Sequence, residues 1–201
     1  MRAVIIGNGE IYAPEKVRSR LRAGDFIICA DAAKNAEKLG VMPDIVIGDF
    51  DSSVPPKGAE VIAFPAKKDY TDGELALSYA AERGFSEILL LGMTGGRRVD
   101  HLLSNILMMT RYNGAYMADE TNEIYILRGR LELTGRKGMT LSIIPIGGDL
   151  KGVTATGFEW ELTDFDMELG IGRGISNVIT ADTCDITAES GMAAIIINNG
   201  E

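Results

Sequence analysis

Short apolar segments alternate with helix-like segments through the first 119 residues of the chain. The helix-like segments, which include residues 32–39 and 72–83, are rich in Ala, Leu, Glu and Lys. The apolar segments have the length and the flanking turn residues of buried strands, and they span residues 3–6, 26–30, 45–47, 61–64, 88–91 and 115–117. This alternation predicts an α/β domain with a mainly parallel, Rossmann-like sheet and helices on both faces. In such a sheet, ligands bind beyond the carboxyl ends of the strands.

The pattern changes after about residue 120, where β-type segments follow one another without convincing helix patterns. Turn residues, such as the Gly-Gly-Asp run at 147–149, separate these segments. The predicted strands span residues 122–127, 130–133, 140–146, 153–156, 160–162, 185–188 and 193–197. A small all-β sandwich or barrel has this pattern. We therefore predict two domains, an α/β domain at residues 1–119 and a β-sandwich at residues 120–201.

Composition and charge exclude several classes of protein. Apolar residues make up 46% of the 201 positions and charged residues 24%, which is typical of an ordinary globular protein. The formal charge of -9 argues against a non-specific nucleic-acid binder, because such proteins neutralise phosphates with excess Lys and Arg. The opening apolar run of four residues is too short for a signal peptide or a membrane span. We expect a cytoplasmic protein that binds a small ligand, with neither nucleic acid nor a membrane as a partner.

Two aspartates follow the third predicted strand, in the run PDIVIGDFDSS at residues 43–53. Asp49 and Asp51 are two positions apart, and in an extended segment side chains at that spacing point the same way. Two carboxylates this close repel each other unless a cation lies between them. A hard divalent cation is one interpretation, and the other is that the two aspartates cap a loop or a turn.

A further aspartate, Asp72, begins the helix-like segment in KKDYTDGELAL. Thr71 and Glu74 have the spacing of a helix capping box, and we interpret both as structural. Asp72 then lies in the first turn, where the helix dipole favours a negative charge. Asp72 therefore has a structural interpretation beside that of a metal ligand.

The run TGGRRVDHLLSN carries groups that suit a phosphate. Gly95 and Gly96 follow a predicted strand and let the backbone approach a phosphate closely, while Arg97 or Arg98 supplies the cation. Apolar side chains recur at helical spacing after the arginines and are predicted to form a buried stripe at residues 99, 102, 103, 106 and 107. The polar residues of the other helix face are His101, Ser104 and Asn105.

Any metal in this protein should be bound by oxygen. His101 is the only histidine, and Cys29 and Cys184 lie far apart in the sequence and are interpreted as buried reduced thiols. The aspartates that follow predicted strand ends are expected to converge on one rim of the sheet with the Gly-Gly-Arg loop, which predicts a site for magnesium and a polyphosphate. The opening VIIGNGE is only a fragment of a dinucleotide fingerprint, and a tight turn between strand and helix explains it equally well.

Four stretches of the chain resemble the thiamine pyrophosphokinase family and follow the family's order. They are CADAAKNAEKLGVMPDIVIGDFDSS, KKDYTDGELAL, TGGRRVDHLLSN and GVTATGFEWELTDFDMELGIGRGISN. The combination of GDFDS with a later TD, DH and GISN is more specific than any one of these motifs. The resemblance implies an α/β domain followed by a β-sandwich, in a homodimer whose sites are shared between subunits. It also implies transfer of a pyrophosphoryl group from ATP to the hydroxyl of thiamine, with AMP released and Mg²⁺ as the cofactor.

The resemblance also implies roles for individual residues. Arg98 would face the phosphates, and Asp31 and Asp44 would lie near the nucleotide. Trp160 matches a position that is aromatic in the family, although an aromatic residue in a β-domain is more often part of the core. The catalytic and magnesium site would consist of Asp49, Asp51, Asp72 and Asp100. ATP and its phosphates would also contact Gly95, Gly96, His101 and Asn105, and thiamine would contact Ser176 and Asn177.

The chain departs from the family pattern at three places. Ala32 stands where the family usually has glycine, Gly73 where it usually has a bulky apolar residue, and the spacing from Gly-Gly to Asp-His is one residue longer. These departures leave open which arginine faces the phosphates, and the residues do not identify a general base. Two alternative functions are a pyrophosphokinase acting on a hydroxymethyl pterin and a non-catalytic sensor of thiamine or nucleotide. Gly-Ile-Ser-Asn at 174–177 argues for thiamine over the pterin.

Overall fold

The computed structural model describes residues 1–49, 58–65 and 69–200. Contacts divide the chain into two compact units, Met1–Glu120 and Thr121–Glu201. Within the described residues, no helix is both long enough and apolar enough to cross a membrane.

The first unit is built on parallel strands in the order β4-β3-β2-β1-β5-β6. Each neighbouring pair is parallel, so the carboxyl ends of these strands lie along one edge. All six apolar segments predicted from the sequence are strands. Their bounds are β1 Arg2–Ile6, β2 Phe26–Ala30, β3 Ile45–Gly48, β4 Glu60–Ala63, β5 Glu87–Leu91 and β6 Ala115–Ala118.

Helices cover the central strands of this sheet. Val4 and Ile6 pack in one core cluster with Leu39 of a helix, and Ile5, whose side chain points to the opposite face, is fully buried as well. Burial on both faces explains why these strands are continuous apolar runs rather than alternating ones. The helices of this unit are α1 Pro14–Arg18, α2 Ala33–Leu39, α3 Asp72–Glu82 and α4 Val99–Met109.

The buried face of α4 differs from the predicted stripe. Val99, Leu103 and Leu107 are 71%, 57% and 45% exposed, and the buried residues of this helix are Met108 and Met109. The prediction of a buried stripe was therefore wrong. Because α4 carries apolar residues on several sides, helical spacing alone does not determine which side packs against the sheet.

The second unit is all-β and its strands pair antiparallel. The strand order is β7-β13-β9-β12-β8, and β10 and β11 also pair with β9. A short 3₁₀ helix lies at Gly172–Gly174. The strands are β7 Asn122–Leu127, β8 Arg130–Thr134, β9 Thr140–Thr156, β10 Leu162–Met167, β11 Asn177–Val178, β12 Thr183–Thr187 and β13 Ser190–Asn198.

Strand β9 differs most from the sequence prediction for this unit. Two predicted strands are one strand of 17 residues, and the predicted turn at 147–149 lies inside it. Gly147 has a φ of 77°, a left-handed conformation that glycine adopts without strain, and the register with β13 shifts beyond Ile146. The later part of β9 pairs with β10 and β12, so one strand contributes to two sets of pairs around a single core.

Candidate active site

A cavity of about 660 Å³ lies at the carboxyl edge of the parallel sheet in the first unit. This volume falls within the range of roughly 300–1,000 Å³ that small-molecule sites occupy. The segments that follow β1, β2, β3 and β5 form its walls, together with the first turns of α3 and α4. Its position agrees with the expectation that ligands bind beyond the carboxyl ends of parallel strands.

The cavity brings together most of the residues that the sequence singled out in the first domain. Asp51 lies outside the described residues, so the structure does not place it. Asp44 and Asp100 are not lining residues, and Ser176 and Asn177 belong to the second unit. The predicted residues that line the cavity are Asp31, Asp49, Asp72, Gly95, Gly96, Arg98, His101 and Asn105.

Asp44 lies at the opposite edge of the sheet from the cavity. It directly precedes β3, and its carboxylate accepts a hydrogen bond of 2.7 Å from the backbone N–H of Ile27 at the start of β2. The side chain therefore joins the amino ends of two strands. This placement corrects the expectation that Asp44 lies near the nucleotide.

Asp100 is bound by Arg98 rather than grouped with the other carboxylates. Arg98 Nε donates to Asp100 Oδ1 at 2.9 Å, and Arg98 Nη2 donates to Oδ2 at 2.6 Å. This bidentate hydrogen bond lowers the pKa of Asp100 to about 2. Both side chains are largely exposed, at 67% and 63%, so water and other anions can reach the pair. Among the described residues, Asp100 thus pairs with Arg98 instead of joining the carboxylates that line the cavity.

Oxygen ligands that suit a hard cation are present in the cavity. Asp31, Asp49 and Asp72 line it, but no group of three or more His, Cys, Asp or Glu in the described part of the chain is close enough to hold a metal ion. Magnesium is usually bound through one or two carboxylates, water and substrate phosphates rather than by a complete protein cage. The carboxylates of the cavity therefore fit a magnesium ion that binds together with a polyphosphate.

The capping box at the start of α3 is confirmed. Glu74 N–H donates to Thr71 Oγ1 at 3.2 Å, and Thr71 N–H donates to Glu74 Oε2 at 3.1 Å. These two bonds fix the point where the helix begins and place Asp72 at its first position. The cap and the cavity residue are therefore adjacent in one rigid turn.

The loop after β1 forms one wall of the cavity, although the sequence predicted no function for it. Residues 7–10 line the cavity, but the backbone N–H groups of Gly7 and Gly9 donate to Leu91 O and Gly92 O, at 2.8 and 2.7 Å. These two amides are thus engaged inside the protein, which argues against a dinucleotide-type phosphate loop. The glycines are needed for packing, because a Cβ on Gly9 would lie 2.5 Å from Gly92 O. Asn8 and Glu10 are the exposed polar side chains of this wall.

In the second unit, Asn177 holds the backbone of Trp160. Its Nδ2 donates to Trp160 O at 2.7 Å and its Oδ1 accepts from Trp160 N–H at 3.1 Å. The indole is 60% exposed, so the interpretation of Trp160 as a core residue was wrong. Ser176, which is exposed, has a φ of 62°, and its N–H donates to Ser142 Oγ at 3.1 Å.

Comparison with known proteins identifies the family. The profile of the thiamin pyrophosphokinase catalytic domain matches residues 17–125, and that of the vitamin B1 binding domain matches residues 126–193. The thiamine pyrophosphokinase of Bacillus subtilis is 33% identical over 153 residues, which cover 69% of this chain and 70% of the relative. The chain belongs to the thiamine pyrophosphokinase family.

Other thiamine pyrophosphokinases show the same similarity in sequence and in fold. Thiamine pyrophosphokinase 1 of Oryza sativa subsp. japonica is 27% identical over 217 residues, covering 87% of this chain and 78% of the relative. The crystal structure of the B. subtilis protein covers 100% of both chains with a TM-score of 0.88 and 24% identity. That of the Geobacillus thermodenitrificans thiamin pyrophosphokinase covers 100% of this chain and 99% of the other, with a TM-score of 0.87 and 26% identity.

Two departures from the thiamine pyrophosphokinase pattern have a local structural explanation. A Cβ on Gly73 would lie 3.2 Å from Met93 Cε, so the side chain of Met93 already fills space beside this position. Ala32 is buried, and its φ of -128° lies outside the left-handed region that favours glycine. The cavity forms with both substitutions present.

Proposed function

We propose that the protein transfers the pyrophosphoryl group of ATP to the hydroxyl of thiamine, forming thiamine pyrophosphate and AMP. Membership of the family across both of its domains supports this activity. The observation that carries the proposal is the single cavity that gathers Asp49, Asp72 and the loop from Gly95 to Arg98. Carboxylates for a metal, backbone that can approach closely and a fork-shaped cation are what a polyphosphate requires.

The chemistry in this proposal is attack of the thiamine hydroxyl on the β-phosphorus of ATP, in line with the bond to the departing AMP. In such a transfer the protein mainly positions the reactants and neutralises charge. Asp49 and Asp72, with Asp51, would hold Mg²⁺, which when bound neutralises charge on the phosphoryl oxygens. The backbone at Gly95 would approach the phosphates.

Arg98 and Asp100 would act as a pair in this site. The guanidinium that now binds Asp100 has the geometry to bind phosphate oxygens in the same bidentate way. Transfer of Arg98 to the phosphates would release the Asp100 carboxylate for magnesium or for the attacking hydroxyl. Because Arg98 already makes such a bidentate contact, we favour Arg98 over Arg97 as the arginine that faces the substrate. Asp100 stays in the proposed catalytic set.

Thiamine would bind at Ser176, Asn177 and Trp160, which lie within the region that matches the vitamin B1 binding domain. An exposed indole can stack on an aromatic ring or a cation, and thiamine has both. We further propose a cytoplasmic homodimer in which each site combines the α/β domain of one subunit with the β-domain of its partner. The resemblance to the family supports this arrangement.

Release of AMP tests the proposed activity directly. Purified protein with ATP and Mg²⁺ is expected to form AMP when thiamine is added and to form none with a hydroxymethyl pterin. AMP only with the pterin would support the pterin pyrophosphokinase, and binding of thiamine without AMP would support a sensor. Asp49→Asn is the negative control, because it keeps the shape of the side chain and removes the charge that would hold Mg²⁺.

A further inference from the structure

Asn35 is a buried polar residue close to the candidate active site. It lies in the first turn of α2, four positions after the cavity residue Asp31, and it is only 4% exposed. Burial of an amide side chain is unfavourable unless its polar atoms find partners. An alanine at this helix position would have a higher helix propensity and no polar group to bury. The hydrogen bonds that Asn35 makes must therefore compensate for its burial.

The partners of Asn35 are in the loop that forms one wall of the cavity. Its Nδ2 donates to Gly7 O at 2.7 Å and to Gly9 O at 2.8 Å. The amides of the same two glycines donate to the last residue of β5 and to Gly92, which follows it. The backbone of Gly7 and Gly9 is thus held from two sides, by α2 and by the carboxyl end of β5 with the residue after it.

Asn35 also lies close to the second wall of the cavity. A Cβ on Gly92 would lie 3.1 Å from Asn35 Nδ2, and Gly92 has a φ of 64°, which a side chain would strain. Residues 92–98 continue from this point as the wall that carries Arg98. One side chain therefore lies at the junction of three wall segments, those that follow β1, β2 and β5.

We propose that Asn35 is a positioning residue for the nucleotide part of the substrate site. Its two hydrogen bonds set the position of the wall that presents Asn8 and Glu10, relative to the wall that carries Arg98. This inference rests on the proposed function, and it concerns ATP rather than thiamine because the cavity lies within the first unit. The thiamine residues proposed above belong to the second unit.

Three substitutions of Asn35 test the role. Asn35→Ala removes both donors, and Asn35→Asp keeps the side-chain volume but turns an oxygen toward two carbonyl oxygens. Each is expected to raise the KM for ATP by about tenfold or more, because buried carbonyls left without donors are costly and the loop shifts to satisfy them. The KM for thiamine is expected to stay within about twofold of wild type. Asn35→Ser keeps one short donor, and its KM for ATP is expected to lie between those of wild type and Asn35→Ala. It replaces Asn35→Ala in the test if the alanine variant does not fold.

A matched control separates positioning from a general loss of stability. Asp25→Asn removes a buried charge at the amino ends of the strands in the same unit, far along the sheet from the cavity. It is expected to lower Tm and to leave the KM for ATP unchanged. If the Asn35 variants lower Tm but keep the wild-type KM for ATP, or if Asp25→Asn raises that KM equally, Asn35 is structural only.

Calorimetric titration with ATP and Mg²⁺, without thiamine, makes the test independent of the reaction. The Asn35 variants are expected to bind ATP about tenfold more weakly than wild type at a temperature where both are folded. If wild-type protein releases no AMP with thiamine yet shows this loss of ATP affinity in the variants, the proposed activity fails and the role of Asn35 stands. Equal ATP affinities for the variants and the wild type would overturn the role of Asn35.

Discussion

A buried ion pair joins the amino ends of β1 and β2, and its removal should destabilise the protein strongly. Arg2 Nε donates to Asp25 Oδ1 at 2.9 Å and Arg2 Nη2 donates to Oδ2 at 2.6 Å, with the two side chains only 5% and 4% exposed. The backbone N–H of Arg22 donates to the same carboxylate at 2.7 Å. Arg2 also donates to Tyr116 Oη and Arg20 O, so the guanidinium is held in one orientation.

The expected loss for Asp25→Asn follows from the charge that it leaves behind. Removing one partner of a buried pair typically costs about 3–5 kcal/mol, because the other charge stays buried without compensation. Glu87 lies 3.7 Å from Arg2 Nη1 and remains as a partial counter-charge, so the lower end, about 3 kcal/mol, applies here. For a chain of this length that corresponds to a fall in Tm of roughly 6–12 °C.

The pH dependence of this stabilisation has a definite sign. Burial by itself would raise the pKa of Asp25, but the hydrogen bonds from Arg2 and Arg22 outweigh it and hold the pKa below its usual value. A group whose pKa is lowered on folding contributes stability above its unfolded pKa of about 3.9, and loses it as the pH falls through the folded value. The stability difference between wild type and Asp25→Asn should therefore be constant near about pH 6–7 and shrink below about pH 4.

Urea unfolding and thermal unfolding, both followed by circular dichroism at several pH values, measure this difference. Asp166→Asn is the control, since Asp166 pairs with Lys151 at 3.0 Å while both side chains remain about half exposed. Loss of an exposed pair of this kind is expected to lower the free energy of unfolding by less than about 1 kcal/mol. A Tm for Asp25→Asn within about 1 °C of wild type, with no pH dependence of the difference, would show that the pair contributes nothing to stability.

The other predictions concern the site and the thiols. Arg98→Ala should raise the KM for ATP far more than Arg97→Ala, and steady-state kinetics that show the reverse order would assign the phosphates to Arg97. Subunits carrying Asp49→Asn, mixed with subunits carrying Asn177→Ala under conditions that exchange subunits, should recover roughly a quarter of wild-type activity, because about half of the dimers are hybrids with one intact site. No recovery after verified exchange would place each site within one subunit. Burial raises the pKa of the Cys29 thiol to about 12, so a thiol-specific reagent should modify it only as the protein unfolds. Rapid labelling of Cys29 in the native protein would contradict this burial.

Local signals in the sequence predicted much of the fold. The six parallel strands are short apolar runs between turn residues, and the capping box of Thr71 and Glu74 lies within four consecutive residues. Burial of both cysteines also followed from residue type alone. In each case the physical cause acts between residues that are close in the sequence, so the sequence alone is enough to predict the feature.

The positions of polar residues directly after predicted strands also predicted where the ligand cavity would be. Asp49 and Gly95 follow parallel strands, and parallel pairing brings such positions to one edge whatever the details of packing. Asp44 precedes its strand and lies at the other edge of the sheet, whereas the resemblance put it near the nucleotide.

Only the tertiary structure decided the partners of individual polar groups and the buried face of each helix. The exposure of Leu103 depends on how α4 packs against the rest of the unit. The two hydrogen bonds of Asn35 to the loop after β1 join groups that lie more than 20 residues apart in the sequence. Helical spacing groups residues on a face but does not say which face meets the sheet. A hydrogen bond forms only within a few tenths of an ångström of its ideal distance, so its partner is set by three-dimensional packing rather than by residue type.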